Sequence, residues 1–295
     1  MKLKIILLFA ALTIFACKKA HKKVGDQDSE REPTTHQLKW VLGKELLNVE
    51  SVIFDAEHQV FYASCGKDYK LGNQGFIAKI SAEGKLLEQK WVSGLNRPTG
   101  MAIHDGNLYV ADINNLVVIN TASGEILQRI TEPIEKSGLN DVAISKKGLI
   151  YVTASFIHTI FKVQNAEMQS FLKDDNLLTW ANGIAIKGET LTIGGTHLVS
   201  IDINSKKITK LNLEPNISDF DGIALDGEGG YYVTTVENSA LWHINKNLQV
   251  EKLAENNSYF GDLDFIPEHH KIVIAQGKQD KSSFFLGVHP IAEVN

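Results

Sequence analysis

Short apolar runs, each entered through a polar or glycine-containing pair, recur along the chain. The pairs are Glu50-Ser51, Thr99-Gly100, Asn140-Asp141, Asn182-Gly183, Asp221-Gly222 and Gly261-Asp262, and successive pairs lie 49, 41, 42, 39 and 40 residues apart. A period of about 40 residues is the length of four short strands with their turns. The hydrophobic pattern therefore predicts a series of six four-stranded units.

The strands inside one unit can be read from the same pattern. After Asp141 the third unit reads VAIS, a Lys-Lys-Gly turn, LIYVTAS, TIFKVQ and MQSFLK. Short runs rich in β-branched and aromatic residues, separated by Gly, Asn and Asp, are typical of β-strands. The first unit is longer because a Gly- and Lys-containing loop, Gly66 to Gly75, is inserted in it.

The two ends of the repeat array complement each other. The last unit supplies only three strands, LDFIP, KIVIAQ and FFLGVHP, while a spare strand, His36 to Leu42, precedes the first unit. Pairing the spare strand into the last unit removes an exposed sheet edge. We therefore predict an all-β fold, a six-bladed β-propeller over residues 36–295, closed by the N-terminal strand in the last blade. A β-sandwich, the other all-β possibility, does not explain the sixfold period.

Composition and charge narrow the function. The chain has 295 residues, 43% of them apolar and 22% charged, which suits a globular domain with a sizeable core. The first 23 residues hold six Lys and no acid, so the formal charge of -5 becomes -11 for the rest, with 24 basic against 35 acidic residues. Nucleic-acid binding needs clustered Lys and Arg, so we expect no nucleic-acid partner. Neutral substrates, cations or a metal suit this surface better.

The N-terminus has the pattern of an export signal. A basic start is followed by an apolar segment of 11 residues, Ile5 to Phe15, which is too short to span a bilayer. The sequence Ile-Phe-Ala before Cys17 resembles a bacterial lipobox, in which the signal is removed before an acylated Cys. We expect residues 1–16 to be a lipoprotein signal peptide and residues 17–35 to be the lipidated Cys17 and a flexible tether. An ordinary secretory signal with a chance Cys is the alternative.

These features predict a membrane-anchored lipoprotein of the bacterial cell envelope. Lys18 and Lys19, rather than an inner-membrane retention Asp, follow Cys17, which favours the outer membrane or periplasm. Cys65 is the only other Cys, so neither an internal disulfide nor a Cys-based zinc site is expected.

The residues that begin the inner strands of a propeller meet at one mouth of its central channel. We call this set the mouth ring: Glu50, Thr99, Asn140, Asn182, Asp221 and Gly261. Its two carboxylates and two amides offer four hard oxygen ligands, the type that Ca²⁺ prefers, whereas zinc favours His and Cys. The same residue pairs are common turn formers, so entry into the inner strand is an alternative explanation, although Glu50 is not a turn former.

Several segments resemble the SMP-30/gluconolactonase/LRE-like family: LNDVAI from Leu139, WANGIAI from Trp180, DFDGIALDGEGGYYV from Asp219 and, more degraded, VESVIFD from Val49. The resemblance covers about residues 49 to 290. It implies a six-bladed propeller with a divalent cation, usually Ca²⁺, held by Glu50, Asn140, Asn182 and Asp221, and it implies Asp221 as general base. The related paraoxonases use a similar ring, and LYVADINN from Leu108 is similar to an NHL repeat.

The chain also departs from the family pattern. Gly138 stands where the lactonases often carry an Arg that contacts the sugar, two residues before Asn140, and Ser51-Val52 replaces a usual Gly-Pro. These differences put hydrolysis of sugar lactones in particular in doubt.

Three function classes remain at this stage. The first is a metal-dependent lactone or ester hydrolase, with Asp221 catalytic and with Thr99, His158 and His197 binding a small-molecule substrate. Each His is equally understandable as a plain loop residue. No Gly-x-Ser-x-Gly motif supports serine esterase chemistry. The second class is a non-catalytic ligand- or protein-binding propeller with a structural metal, and the third is a sugar-oxidising quinoprotein, for which a basic cluster is lacking.

Overall fold

Six antiparallel sheets of four strands each make up the computed structural model, which describes residues 39–40, 46–255, 258–278 and 283–291. The described residues belong to the second of two units, 1–34 and 35–295, into which the chain divides. The expected signal peptide (1–16), the lipidated Cys17 and the tether to residue 35 lie outside the described residues. Within the described ranges no helix combines the length and apolar character needed to cross a membrane.

Blades 1 to 5 are each a meander of four consecutive strands. Blade 1 consists of β2 (Val49–Asp55), β3 (Val60–Cys65), β4 (Gly75–Ser81) and β5 (Leu86–Leu95). Blade 2 consists of β6 (Pro98–His104), β7 (Asn107–Asp112), β8 (Asn115–Asn120) and β9 (Ile126–Thr131). Blade 3 consists of β10 (Leu139–Ile144), β11 (Ile150–Ala154), β12 (Thr159–Gln164) and β13 (Glu167–Lys173). The first strand of every meander is its inner strand.

The remaining blades follow the same plan. Blade 4 consists of β14 (Ile184–Lys187), β15 (Thr190–Ile193), β16 (Val199–Asp202) and β17 (Ile208–Lys210), and blade 5 of β18 (Phe220–Leu225), β19 (Tyr231–Thr235), β20 (Ala240–Ile244) and β21 (Val250–Glu255). Blade 6 contains β22 (Ser258–Ile266), β23 (Lys271–Lys278) and β24 (Phe284–Pro290). Two 3₁₀ turns, Ser155–Ile157 and Pro267–His269, are also present.

The ring closes as the sequence predicts. β1 (Lys39–Trp40) pairs antiparallel with β24, with Lys39 opposite Val288, and the strand order of blade 6 is β1-β24-β23-β22. The N-terminal strand thus supplies the fourth strand that the last repeat lacks. The backbone groups at the edge of β24 therefore form hydrogen bonds with β1. The prediction of a six-bladed propeller closed in this way is confirmed.

The core lies between neighbouring blades, and this placement explains the strand compositions. Every residue of β3 is buried, because both faces of this strand are covered, whereas the outer strand β9 is mostly exposed. Tyr62 and Ile77 of blade 1 pack with Leu108 and Val117 of blade 2 in one such interface. Strands that are buried on both faces have continuous apolar sequences. In strands with one solvent-exposed face, apolar and polar residues alternate.

Bulges mark the start of the inner strands. In blades 1, 2, 3, 5 and 6 the register between the first two strands shifts at the residue pairs identified in the sequence, for example between Leu139 and Val142. A bulge adds one residue to a strand and re-aims its side chain. In blade 3 the hydroxyl of Thr153 accepts a hydrogen bond from Asp141 N (2.9 Å) and donates one to the Asn182 carbonyl of blade 4 (2.7 Å). Thr153 therefore holds the bulge of blade 3 in place and connects it to blade 4.

Candidate functional site

The four expected metal ligands come from four different blades. Glu50 lies in β2, Asn140 in β10 and Asp221 in β18, while Asn182 stands two residues before β14. Asp221 is buried, and the Glu50 side chain is 21% exposed. The bulges at Glu50, Asn140 and Asp221 place these side chains at the channel end of their blades.

Electrostatic coupling shows that three of the four side chains share one locality. Burial raises the pKa of Asp221 well above its usual value, and the negative charge of Glu50 raises it further. A hydrogen bond from the Asn182 side chain acts in the opposite direction. Glu50, Asn182 and Asp221 therefore converge. Asn140 follows Leu139, whose carbonyl accepts a hydrogen bond from Tyr69 Oη (3.1 Å), and the charge of Glu50 also acts on Tyr69.

Arg97 is the residue of this site that the sequence analysis missed. Its Nη2 lies 2.5 Å from Glu50 Oε2, and its Nη1 donates to the Pro98 carbonyl at 3.1 Å. The Arg97 side chain is only 4% exposed. The guanidinium therefore balances one of the two carboxylates of the mouth ring. A signal existed in the sequence, because Arg97 precedes Thr99 by two residues, the same offset at which Gly138 precedes Asn140.

The backbone of Arg97 is fixed by a buried carboxylate. Asp112 accepts hydrogen bonds from the backbone N–H groups of Asn96 (2.9 Å) and Arg97 (2.7 Å). Burial raises the pKa of Asp112, and these N–H groups partly offset the shift. The stem of Arg97 crosses Gly66, where an added Cβ would lie 2.9 Å from Arg97 Cδ. Blades 1 and 2 are thus shaped around this side chain.

Asp221 has a second partner from the next blade. The hydroxyl of Tyr259 in β22 donates to Asp221 Oδ2 at 3.1 Å. This bond lowers the pKa of Asp221, while burial and the charge of Asp221 raise the pKa of Tyr259 well above its usual value. Tyr259 therefore keeps its proton and orients one carboxylate oxygen of Asp221.

The second residues of the motif pairs serve the fold. Asp141 accepts a hydrogen bond from the backbone N–H of Ile184 in blade 4 (2.9 Å), and Asp262 accepts one from Ser51 Oγ in blade 1 (2.7 Å). Burial raises the pKa of both carboxyls, that of Asp262 to about 6. Each of these side chains follows a mouth-ring residue in the sequence and links two neighbouring blades.

The three expected substrate-binding residues occupy different environments. Thr99 is buried and its hydroxyl donates to the Ala111 carbonyl at 3.2 Å within blade 2. His158 ends the 3₁₀ turn of blade 3 in a left-handed conformation, and its Nδ1 lies 3.3 Å from Oδ1 of the exposed Asp175. His197 is half-buried in the loop after β15. A substrate role for these residues stays a prediction.

Steric crowding by Phe156 explains why position 138 is Gly and not the Arg of the lactonase pattern. Its φ is +68°, and an added Cβ would lie 2.7 Å from the aromatic side chain of Phe156. Any larger residue here would meet Phe156 and would also adopt an unfavourable backbone conformation. Phe156 thus covers the position from which an arginine would reach into the site.

The donor set fits a hard cation. Among the described residues no group of three or more His, Cys, Asp and Glu side chains could hold a metal ion. The mouth ring instead combines the carboxylates of Glu50 and Asp221 with the amides of Asn140 and Asn182, and Ca²⁺ accepts such mixed oxygen ligands. Arg97 contacts one oxygen of Glu50 and Tyr259 one oxygen of Asp221. Burial and the charges of Glu50 and Asp262 raise the pKa of Asp221, and a bound cation would offset this repulsion.

Comparison with known proteins finds similarity at the level of the fold. Virginiamycin B lyase from Staphylococcus aureus, solved as a catalytically inactive variant with quinupristin, is 13% identical, with 86% of this chain and 99% of that chain covered and a TM-score of 0.60. For a luciferin-regenerating enzyme the identity is 14%, the coverage 88% and 98%, and the TM-score 0.62. For U3-55K these values are 13%, 88% and 100%, and 0.65. No protein-family model and no curated protein matches the sequence.

Proposed function

We propose that the protein is a metal-dependent hydrolase of lactones or esters, acting at the channel mouth with Ca²⁺ held by Glu50, Asn140, Asn182 and Asp221. One observation carries the proposal: the buried carboxyl of Asp221 shares its locality with Glu50, which raises its pKa, and Arg97 balances only one of the two charges. Perturbed carboxyls that converge in a cleft are typical of functional sites. The motif resemblance to the SMP-30/gluconolactonase/LRE-like family supports the same assignment.

The residues of the mouth ring divide the work. When bound, the cation would polarise the substrate carbonyl and stabilise the developing oxyanion. Asp221 accepts the proton of the attacking water, and a carboxyl with a raised pKa is a better base near neutral pH than an ordinary one. Tyr259 orients Asp221 through its 3.1 Å hydrogen bond, and Arg97 fixes Glu50. The proton taken up by Asp221 passes to the leaving oxygen when the ring or ester bond breaks.

A non-catalytic, ligand-binding propeller is the second candidate. The ion pair between Arg97 and Glu50 favours it, because a guanidinium already supplies a cation to one of the four expected metal ligands. Folds of this type carry unrelated functions, so the site and not the fold decides. In this case the mouth would recognise a ligand without hydrolysing it.

A thermal melt with added metal tests the metal first. A ligand that binds only the folded protein raises its melting temperature. We expect the purified full-length protein to melt at a higher temperature with Ca²⁺ than with a chelator, and Asp221→Asn to lose most of this difference. Equal melting temperatures in Ca²⁺ and chelator would exclude the metal-dependent hydrolase.

A substrate panel then separates the two candidates. The protein with Ca²⁺ is assayed against lactones and aryl esters, with Asp221→Asn as the matched variant. Removal of a general base costs typically about 10²–10⁴-fold in rate. A variant that hydrolyses as fast as the parent shows that Asp221 is not the base. Binding without turnover by the parent supports the second candidate.

The lipid anchor is part of the proposal for localisation. Acylation at Cys17 would tether the propeller to a membrane of the bacterial envelope, in the outer membrane or periplasm. Metabolic labelling with a radioactive fatty acid tests it, and Cys17→Ser is expected to abolish both the label and the membrane association. Labelling that survives the substitution would place the modification elsewhere.

A further inference from the structure

Exposed apolar side chains concentrate at the channel mouth. Among the residues that the structure describes, nine large apolar side chains are strongly exposed, and two of them, Leu87 and Leu127, lie on the outer strands β5 and β9. The other seven lie in the loops around the mouth: Leu47, Tyr69, Leu71, Ile134, Phe156, Trp180 and Val236. An apolar surface gathered at one place on a folded domain marks a binding site more often than scattered exposure does.

Three of these side chains form a continuous aromatic row across blades 1, 3 and 4. The centroids of Tyr69 and Phe156 are 5.4 Å apart at 61°, and those of Phe156 and Trp180 are 5.8 Å apart at 86°. Such edge-to-face contacts are favourable and set the relative orientation of the side chains. Trp180 is 58% exposed and has a φ of +54°, which is unusual for a bulky residue. The backbone therefore holds this indole outward at a conformational cost.

The row is fixed in place. The hydroxyl of Tyr69 donates to the Leu139 carbonyl at 3.1 Å, so the inserted loop of blade 1 reaches across to blade 3. Phe156 lies against Gly138, and its backbone N–H donates to the Ser137 carbonyl at 3.1 Å. Aromatic side chains held in this way lose little conformational entropy when a ligand binds.

Two members of the row, Tyr69 and Phe156, line a cavity of about 670 Å³, and its wall includes Gly138, two residues before Asn140 of the mouth ring. Leu71, Ile113 and Phe156 contribute apolar walls. Burial raises the pKa of Tyr69, and the charge of Glu50 is the next largest cause, so this wall lies close to the ring. A volume between about 300 and 1,000 Å³ is typical of small-molecule sites.

Glu132, one of the polar residues that line the cavity, is engaged within the protein. The carboxylate of Glu132 accepts hydrogen bonds from the backbone N–H of Lys136 (2.9 Å) and of Ser137 (3.1 Å) and from the Ser137 hydroxyl. A ligand hydroxyl would find this acceptor already occupied. An apolar group would instead meet aromatic and aliphatic surface.

We propose that this cavity takes the apolar body, an alkyl or aryl group, of a lactone or ester whose carbonyl lies at the mouth ring. The inference rests on the proposed function and names the substrate class of that site. Burial of each additional methylene contributes about 0.8 kcal/mol, so affinity rises about fourfold per methylene until the chain fills the cavity. A polyhydroxylated sugar lactone binds more weakly than an alkyl lactone of the same ring size.

The test measures binding in the absence of turnover. γ-Lactones with side chains from methyl to octyl, and glucono-γ-lactone, are titrated into the full-length Asp221→Asn protein by calorimetry, with acrylamide quenching of Trp180 as second readout. The chain has four Trp residues, Trp40, Trp91, Trp180 and Trp242, so the signal of Trp180 is taken as the difference in quenching between this protein and the same protein with Trp180→Ala. A rise in affinity along the series and reduced quenching are expected. Affinity that does not change with chain length, or tighter binding of the sugar lactone, would overturn the inference.

Two variants and one control locate the effect. Phe156→Ala is expected to weaken binding of the octyl lactone about tenfold, and Trp180→Ala, which removes the ring that packs against Phe156, is expected to weaken it less. Leu127→Ala, an equally exposed apolar residue on an outer strand, is expected to leave binding unchanged. Equal weakening by all three variants, or by none, would contradict a site at the row.

The outcome is distinguishable from that for the proposed function. Chain-length-dependent binding without hydrolysis by the parent protein supports the apolar site and argues against the hydrolase. Hydrolysis without any preference for longer chains supports the hydrolase and refutes the apolar site. Detergent micelles added to the titration distinguish binding of one lactone from adsorption to a lipid surface, since micelle-dependent affinity would contradict a small-molecule cavity.

Discussion

Arg97 Nη2 lies 2.5 Å from Glu50 Oε2, so an ion pair connects blade 2 to the first residue of the mouth ring in blade 1. The Arg97 side chain is 4% exposed, and the Glu50 side chain is 21% exposed. A partly buried carboxylate is tolerated when a fixed cation faces it. Arg97 therefore supplies the cation that faces Glu50.

Replacing Arg97 by Met exposes this role. Glu50 and Asp221 then share the mouth without a guanidinium, and removal of one partner of a buried pair costs about 3–5 kcal/mol; the exposure of Glu50 places the effect near the lower value. We expect a lower melting temperature in chelator and a larger increase on Ca²⁺ addition than in the parent. Thermal melts in both conditions measure it. The double variant Arg97→Met with Glu50→Gln should recover much of the loss, and failure to do so would mean that Arg97 acts by packing alone.

Tyr259→Phe changes the proton competition at Asp221. The hydroxyl of Tyr259 lowers the pKa of Asp221, so its removal raises that pKa further. Protons then compete with Ca²⁺ up to a higher pH. A hydrogen bond of about 1 kcal/mol corresponds to somewhat less than one pH unit. Calorimetric Ca²⁺ affinities measured against pH should show a midpoint displaced to higher pH by about that amount.

Tyr231→Phe is the matched control for this shift. The Tyr231 hydroxyl accepts a hydrogen bond from Thr192 Oγ1 at 3.0 Å, away from the mouth ring. The midpoint of Ca²⁺ affinity should be the same in this variant as in the parent. Coincident midpoints for both tyrosine variants would show that Tyr259 does not influence the ligand set.

The fold could be predicted because its repeat is visible in the local pattern of hydrophobic and polar residues. Each blade needs four short strands, and the bulged inner strand begins with a polar pair, so a period of about 40 residues is visible without any knowledge of contacts. Closure followed from a missing strand at one end and a spare strand at the other, and the pairing of β1 with β24 confirms it.

The site could be predicted only in part, because its chemistry depends on contacts between blades. The pairing of Arg97 with Glu50 joins residues 47 positions apart. Nothing in the neighbourhood of either residue specifies that partner. The cover of Gly138 by Phe156 likewise needs a loop conformation that residue types do not determine. Local sequence thus predicts candidate positions at the channel mouth but not the partners that lie beside them.

Gly138→Ala measures the space that Phe156 occupies. The added Cβ would lie 2.7 Å from that side chain and would sit at a φ of +68°. Gly106→Ala is the matched control, because its φ is +70° and nothing lies within 4 Å of the added atom. Both variants carry the cost of the left-handed conformation, of order 1–3 kcal/mol. Denaturant unfolding should show a larger loss for Gly138→Ala, and Phe156→Ala in the same chain should cancel the difference. Equal losses for the two glycine variants would mean that Phe156 moves aside freely.

Asp264 gives the stability a definite pH dependence. Burial raises its pKa from 3.8 to about 7, the charge of Asp262 adds to the shift, and the backbone N–H of Phe54 partly offsets it. Between these values the folded protein binds more protons than the unfolded chain, so the free energy of unfolding falls as pH rises from 3.8 towards about 7. Asp262, with a pKa of about 6, acts in the same direction.

Asp264→Asn should flatten this slope, because the amide oxygen still accepts the hydrogen bond from Phe54 but does not titrate. Urea unfolding of the metal-free protein across that pH range measures the effect. Asp202→Asn is the control: backbone N–H groups at its exposed turn lower the pKa of Asp202, so it is charged throughout the range and the slope should persist. A parent protein whose stability rises over this interval would contradict the assignment.

Thr153→Val tests whether the bulges of the inner strands are held by hydroxyl groups of the second strands. The substitution keeps the shape of the side chain but leaves Asp141 N and the Asn182 carbonyl without the partner that bridges them, at 2.9 and 2.7 Å. A buried polar group that loses its partner costs about 1–3 kcal/mol. Thr234→Val is expected to cost a similar amount, because the Thr234 hydroxyl connects Gly222 N with the Gly261 carbonyl in the same way. Thr209→Val on the exposed outer strand β17 should change stability by no more than about 0.5 kcal/mol.

The same variants also test Ca²⁺ binding. Because the Thr153 hydroxyl donates to the backbone carbonyl of Asn182, the Thr153 variant should lose Ca²⁺ affinity, whereas the Thr209 variant should keep it. Unfolding and calorimetry on the three variants decide the matter, and a Thr153 variant as stable as the Thr209 variant would show that the bulge holds its shape without the hydroxyl.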